Sequence, residues 1–375
     1  SAHCGMVVAS VCAGAACAGA AAWLSDIVRR WTFAAVDEKR TGEKRRRLVP
    51  PSVDASTAFL PGDFVHERAM SRELVNTRDF VTLTTGENIF FQTWSPPSGE
   101  VKAVVIFVHG FGDHCDFMNA MKAKALCNTG PFAAVLFDLP GHGRSDGLFV
   151  SITDWHGFVA KVREVVAKHL KPLVARRWPS ARCFGFGESM GGGILFSMLA
   201  REKELLDGVV MVCPMLFVCR ELLPPAIVLL LFKHVMVPCL PSWPLSPTKD
   251  IKKLMFKDPA VNTFVLEEAE FHPKLAYKSQ PRMATAYELA FPAGDWMRGQ
   301  IPAFDVPTLI LHGGGDLVTD HRISQELFEK MKHPDKELLC PEGVWHLDLF
   351  HPGPTQREGA RERLEAVANW ISKRC

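Results

Sequence analysis

The sequence predicts an α/β fold: a mostly parallel, doubly wound sheet with helices on both faces and a cap inserted late in the chain. Three observations lead there. Short continuous apolar runs recur at Val101–Val108, Ala133–Phe137, Cys183–Phe186, Val209–Cys213 and Thr308–Leu311, as strands buried on both faces of a parallel sheet require. Segments with apolar residues at helical spacing separate them, so strands and helices alternate as βαβ units. The alternation breaks between Pro214 and Pro302, a stretch far too long for a crossover loop. An insertion there is most simply a cap over the C-terminal edge of the sheet, where open α/β folds bind ligands.

Taken in order, the chain opens on an uncharged segment rich in Ala, Gly, Val and Cys, Met6 to Leu24, followed by a basic cluster at Lys39, Arg40 and Lys44 to Arg47. A weak membrane anchor, a targeting peptide and a disordered extension all fit this composition. A Pro- and Ser-rich linker, Leu48 to Gly62, follows. Phe80 to Leu83 and Ile89 to Trp94 flank Thr85-Gly86-Glu87-Asn88 and read as a hairpin. Ile152, Trp155, Phe158, Val159, Val162, Val165 and Val166 repeat at helical spacing after Ser151, the expected N-cap. Ala360, Leu364, Val367 and Ile371 repeat likewise at the far end. The expected division is 1–62 for the N-terminal segment and linker, 63–213 for the first part of the core, 214–302 for the cap and 303–375 for the rest of the core.

Composition narrows the function. A formal net charge of +2 gives no reason to expect nucleic acid as a partner. The eleven cysteines are odd in number and include no Cys-x-x-Cys pair, which favours a reducing, intracellular compartment over a secreted disulfide scaffold. No zinc spacing is present, and no metal or organic cofactor is implied.

The chemistry centres on Gly187, Ser189 and Gly191, a Gly-x-Ser-x-Gly between a short apolar strand and the helix-compatible run Ile194 to Ala200. A strand that turns sharply into a helix projects one serine in a strained conformation, and larger residues at Gly187 and Gly191 would collide across the turn. A serine hydroxyl needs a base, and the base an orienting carboxylate. In this architecture the chain order is Ser, acid, His. Asp316 ends the strand and Gly-rich turn Leu309 to Gly315; Asp320, the rival acid, reads as the N-cap of the Ile323 to Met331 helix. His346 lies in the loop after Glu337–Leu339, where the base belongs, with His333 and His351 as the nearby alternatives. An oxyanion hole would take the N–H of Met190 and that of Phe111, in the loop after Val101–Val108, where Gly110 and Gly112 let the backbone approach a substrate. His109 reads as a structural hydrogen-bonder beneath that loop. Asp138 to Ser145 is assigned no chemical step.

HGFGDH, FDLPGHGRSDG, GFGESMGGG, LHGGGDLVTD and the late VWH occur in the order and spacing of α/β-hydrolases. More narrowly, residues 72–375 resemble the monoacylglycerol lipase-like group, with its lysophospholipase and caffeoylshikimate esterase-like members. The resemblance implies Ser189, Asp316 and His346 as triad, Phe111 and Met190 as oxyanion donors, and a cap at 214–302. It implies a serine hydrolase of monoacylglycerol- or lysophospholipid-type esters acting through an acyl-enzyme. A soluble hydroxycinnamoyl ester and a non-catalytic ligand-binding homologue are the alternatives. The partner expected is a small-molecule ester with an acyl chain. A membrane surface is a further expected contact, through the N-terminal segment or the apolar Ala226–Phe232 run, which otherwise reads as a buried cap helix.

Overall fold

A computed structural model describes residues 64–247, 251–263, 275, 277, 279–351 and 357–375. The N-terminal segment and linker, 1–62, lie outside the described residues. The strands are β1 (Val75–Thr82), β2 (Asn88–Ser95), β3 (Ala103–Val108), β4 (Phe132–Phe137), β5 (Arg182–Glu188), β6 (Gly208–Val212), β7 (Thr308–Leu311) and β8 (Lys336–Leu339). They form one sheet in the order β1-β2-β4-β3-β5-β6-β7-β8. The hairpin β1–β2 and the β2–β4 pair are antiparallel, and all other pairs are parallel. This is the mostly parallel sheet that the alternating apolar runs predict, in the α/β-hydrolase form that the motif resemblance implies.

The helices in chain order are α1 (Phe64–Ala69), α2 (Phe117–Cys127), α3 (Trp155–Glu164), α4 (Lys171–Arg177), α5 (Met190–Leu199), α6 (Ala226–Leu231), α7 (Val237–Cys239), α8 (Met283–Ala290), α9 (Pro292–Gln300), α10 (His321–Lys330) and α11 (Arg357–Ser372). Side chains alternate across the sheet, and they feed two cores. Ile106 and Val135 pack with Trp155 and Phe196 on one face, while Val105, Phe107 and Phe184 pack with Met121, Trp370 and Ile371 on the other. Every residue of β3, β4 and β6 is buried, as the unbroken apolar runs require, whereas the edge strand β8 is partly exposed.

Register positions the site. Glu188 pairs with Val212, Val212 with Leu311, and Leu311 with Leu339. The carboxyl ends of β5, β6, β7 and β8 therefore stand level, and Val108 of β3 pairs with Gly187 of β5. The loops that leave these strands meet at one edge.

Between β6 and β7 the regular structure among the described residues is helical. Arg282 ties this insertion to the core, its Nε donating to Phe149 O at 2.9 Å, while its Nη1 donates to Ser242 O within the insertion at 2.6 Å. The run Ala226–Phe232 is divided. Phe232 is buried against Met283 and Ala286, but no residue of α6 is buried, and Ile227, Leu230 and Leu231 are 73%, 56% and 52% exposed. No helix among the described residues is long and apolar enough to cross a membrane.

One capping expectation is corrected. The helix expected after Ser151 begins at Trp155, and Asp154 caps it by accepting from the N–H groups of His156 and Gly157, each at 3.0 Å. The Ile152 N–H donates instead to Thr285 Oγ1 of α8 at 2.9 Å, so the chain there is held to the insertion.

Candidate active site

β5 ends at Glu188, α5 starts at Met190, and Ser189 alone makes the turn, at φ 54° and ψ −120°. Such backbone costs a non-glycine residue roughly 1–3 kcal/mol and persists only where its surroundings over-determine it. Here they do. Ser189 N–H donates to Val212 O at 2.8 Å, and Ser189 O accepts from Gly192 N–H at 3.0 Å and Met215 N–H at 2.9 Å. A Cβ on Gly187 would lie 2.6 Å from Gly191 O, and one on Gly191 only 1.9 Å from Val108 O. The elbow closes because those positions lack side chains. Ser189 is half-buried between the buried Glu188 and Met190, the most accessible of the three residues at the turn.

The loop after β3 lies directly against the elbow, with a Cβ built on Gly110 falling 3.3 Å from Ser189 Cβ. His109 supports it from below: Nε2 accepts from Leu139 N–H at 3.0 Å, so the proton sits on Nδ1 and is donated to Gly110 O at 2.8 Å. Burial lowers the His109 pKa and keeps the ring neutral, which suits a structural hydrogen-bonder. Met190 opens α5, so its N–H has no intrahelical acceptor. Phe111 follows Gly110, and Gly112 takes φ +72°. Gly112 O accepts from Tyr277 N–H of the insertion at 3.1 Å, and the Tyr277 ring stands edge-on to Phe111 and to Phe149 at centroid distances of 6.2 and 5.4 Å.

The loops after β7 and β8 bring the other groups in. His346 Nε2 lies 3.0 Å from Ser189 Oγ, and His346 Nδ1 lies 2.6 Å from Asp316 Oδ2. Asp316 is thus the carboxylate at the imidazole. Asp320 caps α10 through Arg322 N–H and pairs with the Arg322 guanidinium at 2.7 Å. The two loops touch because glycine permits it: Gly315 N–H donates to Val344 O at 2.9 Å, and a Cβ on Gly313 would lie 2.3 Å from the same oxygen. Asp316 Oδ1 accepts from Val318 N–H at 2.7 Å and Thr319 N–H at 3.1 Å, while Thr319 Oγ1 donates to Oδ2 at 2.8 Å. Burial alone would raise the Asp316 pKa, but the charge of a protonated His346 and the hydrogen bonds from the His312 and His346 rings outweigh it and hold the carboxyl well below the usual carboxylate range. The pair can pass a proton from the Ser189 hydroxyl to His346 while Asp316 stays ionised.

Two supporting contacts were not legible as motifs. Glu188, one residue before the serine, is buried and paired with Lys122 of α2 at 2.5 Å. That pair joins the elbow to the helix that follows the β3 loop. Tyr277 joins the insertion to the same loop. Thr319 has a faint sequence signal, a hydroxyl residue three positions after the acid in a turn. Among the described residues one group has metal-ligand chemistry: atoms of Cys213, Asp316 and His346 lie within 4.8 Å of one another. Burial pushes the Cys213 thiol well up, and the other two are already joined by the 2.6 Å hydrogen bond. We assign no ion there.

Residues 99–352 match the Hydrolase_4 family, described as serine aminopeptidase, S33. Caffeoylshikimate esterase of Arabidopsis thaliana is 27% identical over 305 residues, 81% of this chain and 87% of that one. Monoglyceride lipase of Mus musculus is 26% identical over 297 residues, 77% and 88% of the two chains. Among solved structures, a soluble variant of Saccharomyces cerevisiae monoglyceride lipase in complex with a substrate analog superposes with a TM-score of 0.66 at 19% identity, over 81% of this chain and 97% of that one. The monoacylglycerol lipase of Paleococcus ferrophilus gives 0.58 at 23% identity, over 81% and 100%. At these identities the structural matches speak to the fold.

Proposed function

Starting from a chain that belongs to the Hydrolase_4 (serine aminopeptidase, S33) family and is a carboxylic ester hydrolase, we propose that it cleaves lipid esters of monoacylglycerol or lysophospholipid type through an acyl-enzyme on Ser189. Ser189 Oγ attacks the ester carbonyl as its proton passes to His346 Nε2. Asp316 holds the imidazole with Nδ1–H toward itself and stabilises the imidazolium. The N–H groups of Met190 and Phe111 stabilise the tetrahedral oxyanion. His346 returns the proton to the departing alcohol oxygen. A water molecule, deprotonated by His346, then attacks the acyl-enzyme and releases the acid.

The observation that carries the reading is the continuous relay, 3.0 Å from Ser189 Oγ to His346 and 2.6 Å from His346 to Asp316, on a serine held at φ 54°. The insertion, 214–302, acts as the cap of the site, linked to the β3 loop through Tyr277. Its exposed Ile227, Leu230 and Leu231 favour an acyl chain or a lipid surface as what the cap meets. A second reading, an esterase for a soluble aromatic ester, draws support from Phe111, Phe149 and Tyr277 clustered beside the oxyanion loop.

The test is kcat/KM on monoacylglycerols of graded chain length and on a hydroxycinnamoyl ester, for wild type and Ser189→Ala. Long-chain monoacylglycerols should be preferred, and the variant should lose on the order of 10⁶ in kcat, as nucleophile removal does in serine hydrolases. Preference for the aromatic ester would make the second reading first. A wild type as slow as the variant on every ester would overturn the assignment of Ser189.

A further inference from the structure

Asp316 Oδ2 is more crowded than one imidazole requires. Besides His346 Nδ1 and Thr319 Oγ1, it has His312 Nε2 at 3.2 Å. His312 is fully buried just beyond the carboxyl end of β7, and its N–H continues the ladder by donating to Leu339 O at 2.9 Å. Across the ring, His312 Nδ1 stands 2.7 Å from Ser324 Oγ of α10. Burial lowers the His312 pKa, so the ring is neutral and carries one proton. Its neighbours say which nitrogen holds it. Nε2 faces three oxygens, Asp316 Oδ2, Thr319 O at 3.3 Å and Thr319 Oγ1 at 3.3 Å. Nδ1 faces a single hydroxyl, which can donate. The proton is on Nε2, and Ser324 O–H points at Nδ1.

We infer that His312 is a positioning residue: locked in its Nε2–H form by Ser324, it donates to Asp316 Oδ2 and fixes that oxygen opposite His346. The inference rests on the proposed Ser189–His346–Asp316 relay. With Oδ1 bound by the Val318 and Thr319 N–H groups and Oδ2 by His312 and Thr319, the carboxylate plane has no free rotation. The bond also draws charge from the oxygen that faces His346. Removing it leaves a more basic carboxylate, which favours protonated His346 and removes the base from action over a wider acid range.

The other groups facing this pair are few. Cys213 follows β6, the Cys219 thiol donates to Asp316 O at 3.7 Å, and the His321 ring lies 6.3 Å from His312. Burial pushes Cys213 well up and Cys219 up to about 12, so neither thiol is charged at neutral pH. Asp320, at the start of α10, is paired with Arg322.

The experiment is the pH profile of kcat/KM on a soluble ester for wild type, His312→Met, His312→Gln and Ser324→Ala. Competent sites are counted by covalent labelling of Ser189 with a fluorophosphonate. His312→Met fills similar space without a donor. It should lower kcat per labelled site by about 10- to 100-fold, the effect of losing a hydrogen bond to a charged group, and move the acid limb to higher pH. His312→Gln returns an N–H near Nε2 and should recover most of both. Ser324→Ala releases the tautomer and should move the acid limb the same way by less. His312→Met with wild-type rate and acid limb would overturn the inference, as would His312→Gln falling as far as His312→Met. Should His312→Met fail to fold, Ser324→Ala decides: an unmoved acid limb sinks the inference. Wild type that does not label at Ser189 would sink the relay itself, a failure distinct from these.

Discussion

Two apolar helices of this chain end in opposite surroundings. Every residue of α5, Met190–Leu199, is buried; no residue of α6, Ala226–Leu231, is. As sequence, the two runs send the same signal. What differs is the support beneath them. α5 leaves a central strand of the sheet and is packed at once, with Phe196 stacked on Phe304 at a centroid distance of 4.5 Å and Ser197 Oγ accepting from Trp155 Nε1 at 3.0 Å. α6 sits in the insertion, where the regular structure among the described residues is helical; there Phe232, just past its end, is buried in a small cluster and Leu229 is only partly buried against it. Apolar residues mark the interior only where register has already fixed a neighbour. Left without one, the same residues remain available to a substrate or a surface.

Changes at the elbow should therefore act on stability. The largest effect is expected from Lys122→Met. It leaves Glu188 as a buried, unpaired charge one residue before Ser189, and removal of one partner of a buried pair costs about 3–5 kcal/mol. Chemical denaturation measures it. Replacing Glu188 as well, by an apolar residue of similar size, should restore most of the loss; a double variant as unstable as the single would mean that packing, not charge, is what Lys122 supplies. Phe196→Ala is the matching test inside α5, with an expected loss of about 3–5 kcal/mol from a cavity between helix and sheet. A loss under 1 kcal/mol would mean that the region collapses freely and that the contrast with α6 is one of exposure alone.

Asp316 gives the pH dependence. Its folded carboxyl is held below the ordinary range, so it contributes stability above the unfolded carboxylate pKa, and that contribution is lost as pH falls through the folded value. Wild type should melt above Asp316→Asn at neutral pH, and the gap in Tm should narrow as pH falls below the carboxylate range. A gap that is constant with pH would mean that the carboxylate charge contributes nothing to the fold.

The same contrast explains what could be read in advance. The sheet, the elbow and the Ser189–Asp316–His346 grouping were legible because each depends on local pattern: apolar strands, glycines at a turn, and a fixed chain order along one sheet edge. The rest depends on contacts remote in sequence. Ser151 and Asp154 are both good capping residues, and the choice between them follows from the Ile152 N–H being taken by Thr285, 133 residues away. Lys122 sits in MNAMKAKA with nothing to mark it apart from Lys124, yet one is buried and the other is not. His312 reads as a strand end until α10 brings Ser324 to it. For α6 the sequence left burial and exposure evenly matched, because composition carries no information about which face a neighbour will cover.

The smallest expected effect tests the exposed side. Ile227→Ser and Leu230→Ser should each change stability by about 0.5 kcal/mol or less, since surface substitutions away from packed features seldom do more. The doubly substituted protein should then melt with wild type and hydrolyse a short soluble ester at the wild-type rate. On long-chain monoacylglycerols presented in vesicles it should fall behind, because the apolar area that would meet acyl chain or interface has been removed. A substantial loss of Tm would mean that α6 is covered in the working protein after all. A doubly substituted protein as fast as wild type on the vesicles would make Ile227 and Leu230 incidental to substrate, and the aromatic cluster at Phe111, Phe149 and Tyr277 would become the better guide to what the site accepts.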